Sequence, residues 1–269
     1  MFFLTTKDPN MNTVRLVALL LLGIFLTQLA HSQTSQPADT IITNMTEQFL
    51  QTPKQAARIS INTTNARRSD TTTKKFGIYL SANDNGGDVT LRRNPHKEGL
   101  FFSIKNGDFV NALYWNPTLP GSVSRISLES QNELFSGTAF SYEDIKQMIL
   151  TRENLDRFTY SLESSTDSTW IIRANPKDTD YSQYAYRIMN IRQSDYALKK
   201  IRGFVDGNIR RRTEFSKFRT SNAGTPQPRM IIGRYHRGTR VVVSSRMRLN
   251  YNKEFPGTDV FSTEFIIGQ

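Results

Sequence analysis

Short runs of alternating apolar and polar residues, punctuated by tight-turn dipeptides, constrain this chain more than any other feature. Phe76, Ile78 and Leu80 alternate with Gly77 and Tyr79, and Leu100, Phe102 and Ile104 alternate with Phe101, Ser103 and Lys105. A period of two places successive side chains on opposite faces of a strand. Asn85-Gly86-Gly87, Asn106-Gly107 and Asp206-Gly207 supply the residues that hairpin turns demand. The same reading predicts strands over 89–93, 110–115, 159–163, 169–174, 184–191, 198–205, 209–218, 230–235 and 239–251, with 261–267 closing the sheet. Two helical stretches interrupt the pattern. One runs over 40–51 with Asp39 as its cap, and one begins at Ser141, where Ser141-Tyr142-Glu143-Asp144 reads as a capping box. The expected class is mainly β with helices: a long antiparallel meander, curved around a helix or a cavity.

The N-terminal segment reads differently. The run 16–26 carries no charge, Lys7 and Arg15 precede it, and Ala30-His31-Ser32 offers small residues at a peptidase site. This is the pattern of a cleaved secretory signal over residues 1–32. The run is shorter than the ~20 residues of a spanning helix. Either Met1 or Met11 serves as the start. Residues 33–269 contain no linker or repeat and are expected to form one domain.

The chain has 269 residues, no cysteine, and 35 Lys+Arg against 24 Asp+Glu, a formal charge of +11. Lacking cysteine, it has no disulfide, zinc–thiolate site, iron–sulfur cluster or thiol nucleophile. For an exported protein, positive charge points to anionic head groups or polysaccharide phosphates rather than nucleic acid; a plain solvated surface explains it equally well. The densest basic cluster flanks the Asp206-Gly207 turn: Lys199, Lys200 and Arg202 on one strand, Arg210, Arg211 and Arg212 on the other. Like charges on paired strands cost stability, so these six are candidates for an anionic contact.

Catalytic machinery is not found. His96 and His236 lack metal-ligand partners at nearby positions, and no G-x-S-x-G, H-E-x-x-H, Walker or dinucleotide fingerprint is present. Asp84 and Asp88 lack the closing glutamate of a calcium loop. Glu143 and Asp144 are accounted for by the dipole of the helix they begin. No enzyme activity, metal or cofactor is expected.

A motif series gives a more specific reading. Pro95-His96-Lys97-Glu98-Gly99-Leu100, Leu113-Tyr114-Trp115-Asn116-Pro117, Ser124-Arg125-Ile126, Phe140-Ser141-Tyr142-Glu143-Asp144-Ile145, Ala174-Asn175-Pro176-Lys177 and Tyr181-Ser182 follow in order. This series resembles the outer-membrane lipoprotein-sorting protein family, the LolA/LolB-like periplasmic carriers, from about residue 38 onward. The most specific piece is Phe140, Ser141, Tyr142, Glu143 and Asp144. Gly137-Thr138-Ala139-Phe140 and 119–124 depart from the family pattern, which weakens any inferred contact with a transporter.

The resemblance implies an unclosed antiparallel β-barrel with a helical lid over a hydrophobic cavity. It implies a periplasmic, non-catalytic monomer that carries acyl chains of lipoproteins or lipids toward the outer membrane. The partner it suggests is an inner-membrane transporter, and the basic cluster adds anionic membrane surfaces. A lipid-sensing regulator, or an accessory subunit of a membrane lipid exporter, is the alternative. Cavity-wall candidates are Phe76, Ile78, Leu80, Leu100, Phe102, Ile104, Leu113, Trp115, Trp170 and Ile172. Alternation assigns each to a face; plain core packing explains each equally well.

Overall fold

The computed structural model describes residues 36–83, 86–93, 98–105, 108–116, 123–126, 129–251, 254, 260–262 and 265–266. Helix α1 (Ala38–Leu50) opens this part of the chain. A first run of strands follows: β1 (Lys54–Asn65), β2 (Asp70–Asn83), β3 (Gly86–Arg93), β4 (Gly99–Lys105), β5 (Asp108–Trp115) and β6 (Val123–Arg125). A mostly non-strand segment comes next, holding the short helices α2 (Tyr142–Gln147) and α3 (Arg152–Leu155). The second run is β7 (Phe158–Thr166), β8 (Thr169–Pro176), β9 (Tyr186–Arg192), β10 (Leu198–Val205), β11 (Asn208–Thr220), β12 (Pro226–Arg237) and β13 (Arg240–Asn250). Among the described residues no helix is long and apolar enough to cross a membrane.

All thirteen strands belong to one sheet, ordered β6-β5-β4-β3-β2-β1-β13-β12-β11-β10-β9-β8-β7. Each described pairing is antiparallel. Two meanders are therefore joined where β1 pairs with β13, Ile59 opposite Leu249 and Ile61 opposite Met247. β6 and β7, neighbours in sequence, are the two edges of an unclosed sheet.

The sheet must curl. The adjacent residues Tyr142 and Glu143 reach Phe102 in β4 and Arg187 in β9. Eight strand spacings separate β4 from β9 in the sheet order. A flat sheet would place them roughly 38 Å apart. One short segment touches both because the sheet wraps around it.

The wrapped interior is apolar. Ile59, Ile61, Phe76, Leu91, Leu100, Phe102, Ile172 and Ile191 are buried in one core, which also receives Ile41, Ile42 and Met45 from α1. Each such side chain stabilises the fold by about 1.5–3 kcal/mol. Phe135, Phe140, Tyr142, Ile145 and Ile149, from the segment between the two strand runs, complete it.

Three local expectations need revision. Asp39 lies inside the first turn of α1, whose cap position is Pro37 and has no side-chain cap bond; an acid there favours the helix dipole instead. β1 lies outside the strands predicted above, although Ile59, Ile61 and Thr63 alternate with polar residues. Of 261–267, the described residues do not join the sheet. Val260 and Phe265 pack on Ala56 and Tyr79, on the outer face. The turn Asp206-Gly207 does form, with φ of 49° and 73°, the positive values a tight hairpin requires. Asn85, Asn106 and Gly107 lie outside the described residues.

Candidate functional site

The concave face and the segment that fills it form the candidate site. Phe76, Ile78, Leu80, Leu100, Phe102, Trp170 and Ile172 all sit in or against the inner core. Leu113 and Trp115 do not share that face. Leu113 pairs with Phe101 and Trp115 with Gly99, whereas Tyr114, between them, pairs with the inward Leu100. Tyr114 is the inward residue of the three: its hydroxyl donates to Glu98 at 3.0 Å. The run Leu-Tyr-Trp is apolar on both faces, so alternation could not select the correct one. The side chain of Ile104 lies outside the described residues.

Every residue of the Phe-Ser-Tyr-Glu-Asp motif helps hold the filling segment inside the sheet. The Phe140 ring rests on the bare backbone of Gly233 in β12; a Cβ there would lie 2.6 Å from the ring. Ser141 and Asp144 form the expected capping box, with Asp144 N–H donating to Ser141 Oγ at 3.1 Å and Ser141 N–H to Asp144 Oδ2 at 2.8 Å. Tyr142 meets Phe102 and Phe135 edge-on, and burial pushes its hydroxyl pKa up to about 12.

Glu143 and Asp144 do more than complement a helix dipole. Glu143 forms a buried ion pair with Arg187 and accepts from Ser182 Oγ at 2.6 Å and Gln183 N–H at 3.1 Å. Asp144 accepts from the Tyr184 hydroxyl at 2.8 Å and lies 3.4 Å from Arg211 Nε. Burial, reinforced by the Asp144 charge, raises the Tyr184 pKa well above its usual value. Arg211 also donates to the carbonyls of Ala139 at 3.1 Å and Asn132 at 2.9 Å. Ser245 Oγ in β13 accepts from Ala139 N–H at 2.8 Å.

A third fastening lies toward the first meander. Ser136, in the left-handed region at φ 51°, donates to Glu98 at 2.7 Å and accepts from Lys74 Nζ at 2.5 Å. Arg93 pairs with the same carboxylate at 3.1 Å. The segment is thus attached to the sheet mainly through side chains. With it in place, a pocket of about 20 Å³ lies among Met148, Ile201, Phe215 and Arg211.

The six basic candidates separate. Arg211 points inward to Asp144, on the same buried face of β11 as Thr213 and Phe215. Arg210 lies by Tyr235, its Nη1 3.5 Å from the hydroxyl. Lys199 is exposed at an irregularity of β10. Lys200, Arg202 and Arg212 share the outer face, where Arg202 faces Arg212 and Arg212 faces Arg234. Glu214 offsets this cluster, accepting from Arg212 Nε at 2.9 Å and Arg234 at 2.7 Å, with Lys200 at 3.8 Å. Burial alone would raise the Glu214 pKa, but those arginines hold it below the usual value. Lys200 is lowered by burial and then by Arg212. His236 lies beside the same arginines, its Nε2 buried without a hydrogen-bond partner. His96 lies outside the described residues, and among them no acid or histidine cluster could hold a metal.

A family model described as "Uncharacterized protein" matches residues 96–266, well over half of the chain. The chain belongs to this family. Its match begins inside the motif series and takes in the whole filling segment. No curated protein matches the sequence.

Solved structures resemble the fold closely. An outer membrane lipoprotein-sorting protein domain from Vibrio parahaemolyticus is 14% identical, with a TM-score of 0.69 over 84% of this chain and 97% of that one. A DUF1329 family protein from Desulfovibrio piger is 14% identical, with a TM-score of 0.70 over 86% and 100%. A LolA superfamily protein from Nitrosomonas europaea is 15% identical, with a TM-score of 0.61 over 86% and 100%. This chain therefore has a LolA-like fold, and the unclosed antiparallel sheet that the resemblance implied is present.

Proposed function

We propose that this protein is a periplasmic, non-catalytic carrier that binds acyl chains of lipoproteins or lipids inside its curved sheet and moves them toward the outer membrane. In this reading residues 1–32 are a signal peptide removed on export, and residues 33–269 act as one carrier domain. The carrying observation is how the concave apolar face is occupied. Phe135, Phe140 and Tyr142 fill it from a segment fastened mainly by side chains. Alkyl chains that take the place of those rings exchange one apolar contact for another, and the cost that remains is the release of the segment's polar fastenings, the Glu143–Arg187 pair foremost. Carriage through water otherwise exposes ~0.8 kcal/mol of unfavourable surface per CH₂. α1 and the filling segment serve as the lid in this scheme. The LolA-like fold supports the reading.

Native mass spectrometry of protein purified from the periplasm without detergent, followed by lipid extraction, tests it. An acyl-bearing adduct displaced by a fluorescent fatty acid is the expected result. A protein that never binds such a probe, even with Arg211→Leu loosening the segment, overturns the proposal.

A further inference from the structure

We infer that the outer face of the sheet carries a second binding site, for a phosphate-bearing group, in a basic cleft across β13, β1, β2 and β3. The cleft encloses about 860 Å³ on the face away from the apolar interior. Its floor is small. Gly77 lies between Arg58 and Arg92 in one cross-strand row, and Ser60 lies between Lys75 and Arg248 in the next. Residues two strands apart are separated by roughly 10 Å, so each row is a pair of cations with a gap between them.

That spacing has two consequences. The gaps relieve the repulsion that directly opposed like charges would create, and they leave room for an anion to bridge each pair. Arg58, Lys75 and Arg248 are exposed, and no ion pair is formed by them among the described residues. No Asp or Glu is among the described residues lining the cleft. This distinguishes it from the Arg202–Arg212–Arg234 row, where Glu214 already supplies a counter-charge. Two arginines and a lysine around an open floor match a multiply charged oxyanion, which guanidinium forks bind through paired N–H groups. At one end Tyr79 meets Phe265 edge-on, with Arg92 4.9 Å from the Phe265 centroid, an apolar wall for whatever carries the phosphate.

The phosphate could belong to a lipid head group or to a soluble molecule, and the experiment separates the two. The full mature chain is floated with vesicles of phosphatidylcholine, with and without phosphatidylglycerol, and is titrated calorimetrically with inorganic pyrophosphate. Arg58→Glu/Arg248→Glu is compared with Arg67→Glu/Arg68→Glu, an equal charge change at the exposed β1–β2 turn. Arg58→Gln/Arg248→Gln is the milder form should the first fail to fold. A loss of about tenfold or more in phosphatidylglycerol binding, confined to the cleft variant, supports the site and a membrane source. Pyrophosphate binding lost only in the cleft variant, without flotation, supports the site and a soluble source. Equal losses in both variants, or no binding of either probe, overturn it. The site does not depend on the carrier reading, because acyl-probe loading is measured in the same variants and should not change.

Discussion

Glu143, in the first turn of α2, and Arg187, in β9, meet inside the molecule as an ion pair with side chains only 1% and 4% exposed. The pair joins the filling segment to the second meander, and Ser182 and Gln183 satisfy the remaining carboxylate acceptor positions. Removing one partner of such a pair strands a buried charge. Glu143→Ala should therefore destabilise the protein by about 3–5 kcal/mol, read from urea unfolding midpoints. A loss below 1 kcal/mol would mean that water reaches Arg187.

Gly233 allows Phe140 to lie on the backbone of β12, and an added methyl would sit 2.6 Å from its ring. Gly233→Ala should cost about 1–3 kcal/mol through overpacking. Phe140→Leu in the same background should recover part of the loss. A thermal-shift series on the two single variants and the double variant reads the coupling.

Arg211 ties the carbonyls of Ala139 and Asn132 to β11. Arg211→Leu should loosen the filling segment. Its amides, Ala139 included, should then exchange hydrogen faster, while β1 and β13 keep their protection. Uniform acceleration across the sheet would instead indicate global destabilisation.

His236 has its pKa lowered below 6.5, by burial and then by Arg212 and Arg234. The folded state thus binds the proton more weakly than the unfolded chain. Its effect on stability is absent at high pH and becomes a penalty as pH falls from about 6.5 toward the folded-state value. His236→Gln should flatten this part of the stability–pH curve, and an NMR titration should place the imidazole below 6.5.

Glu214 serves Arg212, Arg234 and Lys200 together. Glu214→Gln should leave these cations repelling one another and cost about 1 kcal/mol at low salt, with the loss shrinking as salt screens the charges. A deficit that stays constant with salt would argue for packing rather than charge.

The period-two runs sufficed for the strand-rich class, because alternation is a local property of the backbone and any curved sheet needs it. Ser141 and Asp144 were legible as a cap for the same reason: the box closes within four residues. The motif series carried the LolA-like fold. What stayed hidden depended on residues far apart in the chain. The pairing of β1 with β13 makes one sheet of two meanders. Ile59, Ile61 and Thr63 mark Lys54–Asn65 as a strand locally, but only the structure shows that it pairs with β13 at the far end of the chain as well as with β2. The inward facing of Arg211, and the outward facing of Leu113 and Trp115, follow from the register of their strands in the curled sheet rather than from composition. Glu143 and Asp144 looked like dipole-complementing acids until Arg187, Tyr184 and Arg211 came into place around them. Local sequence set the elements, because hydrogen bonding and side-chain alternation act over a few residues. Only the tertiary structure decided which face was buried and which charges met, because burial is a property of the whole curled sheet.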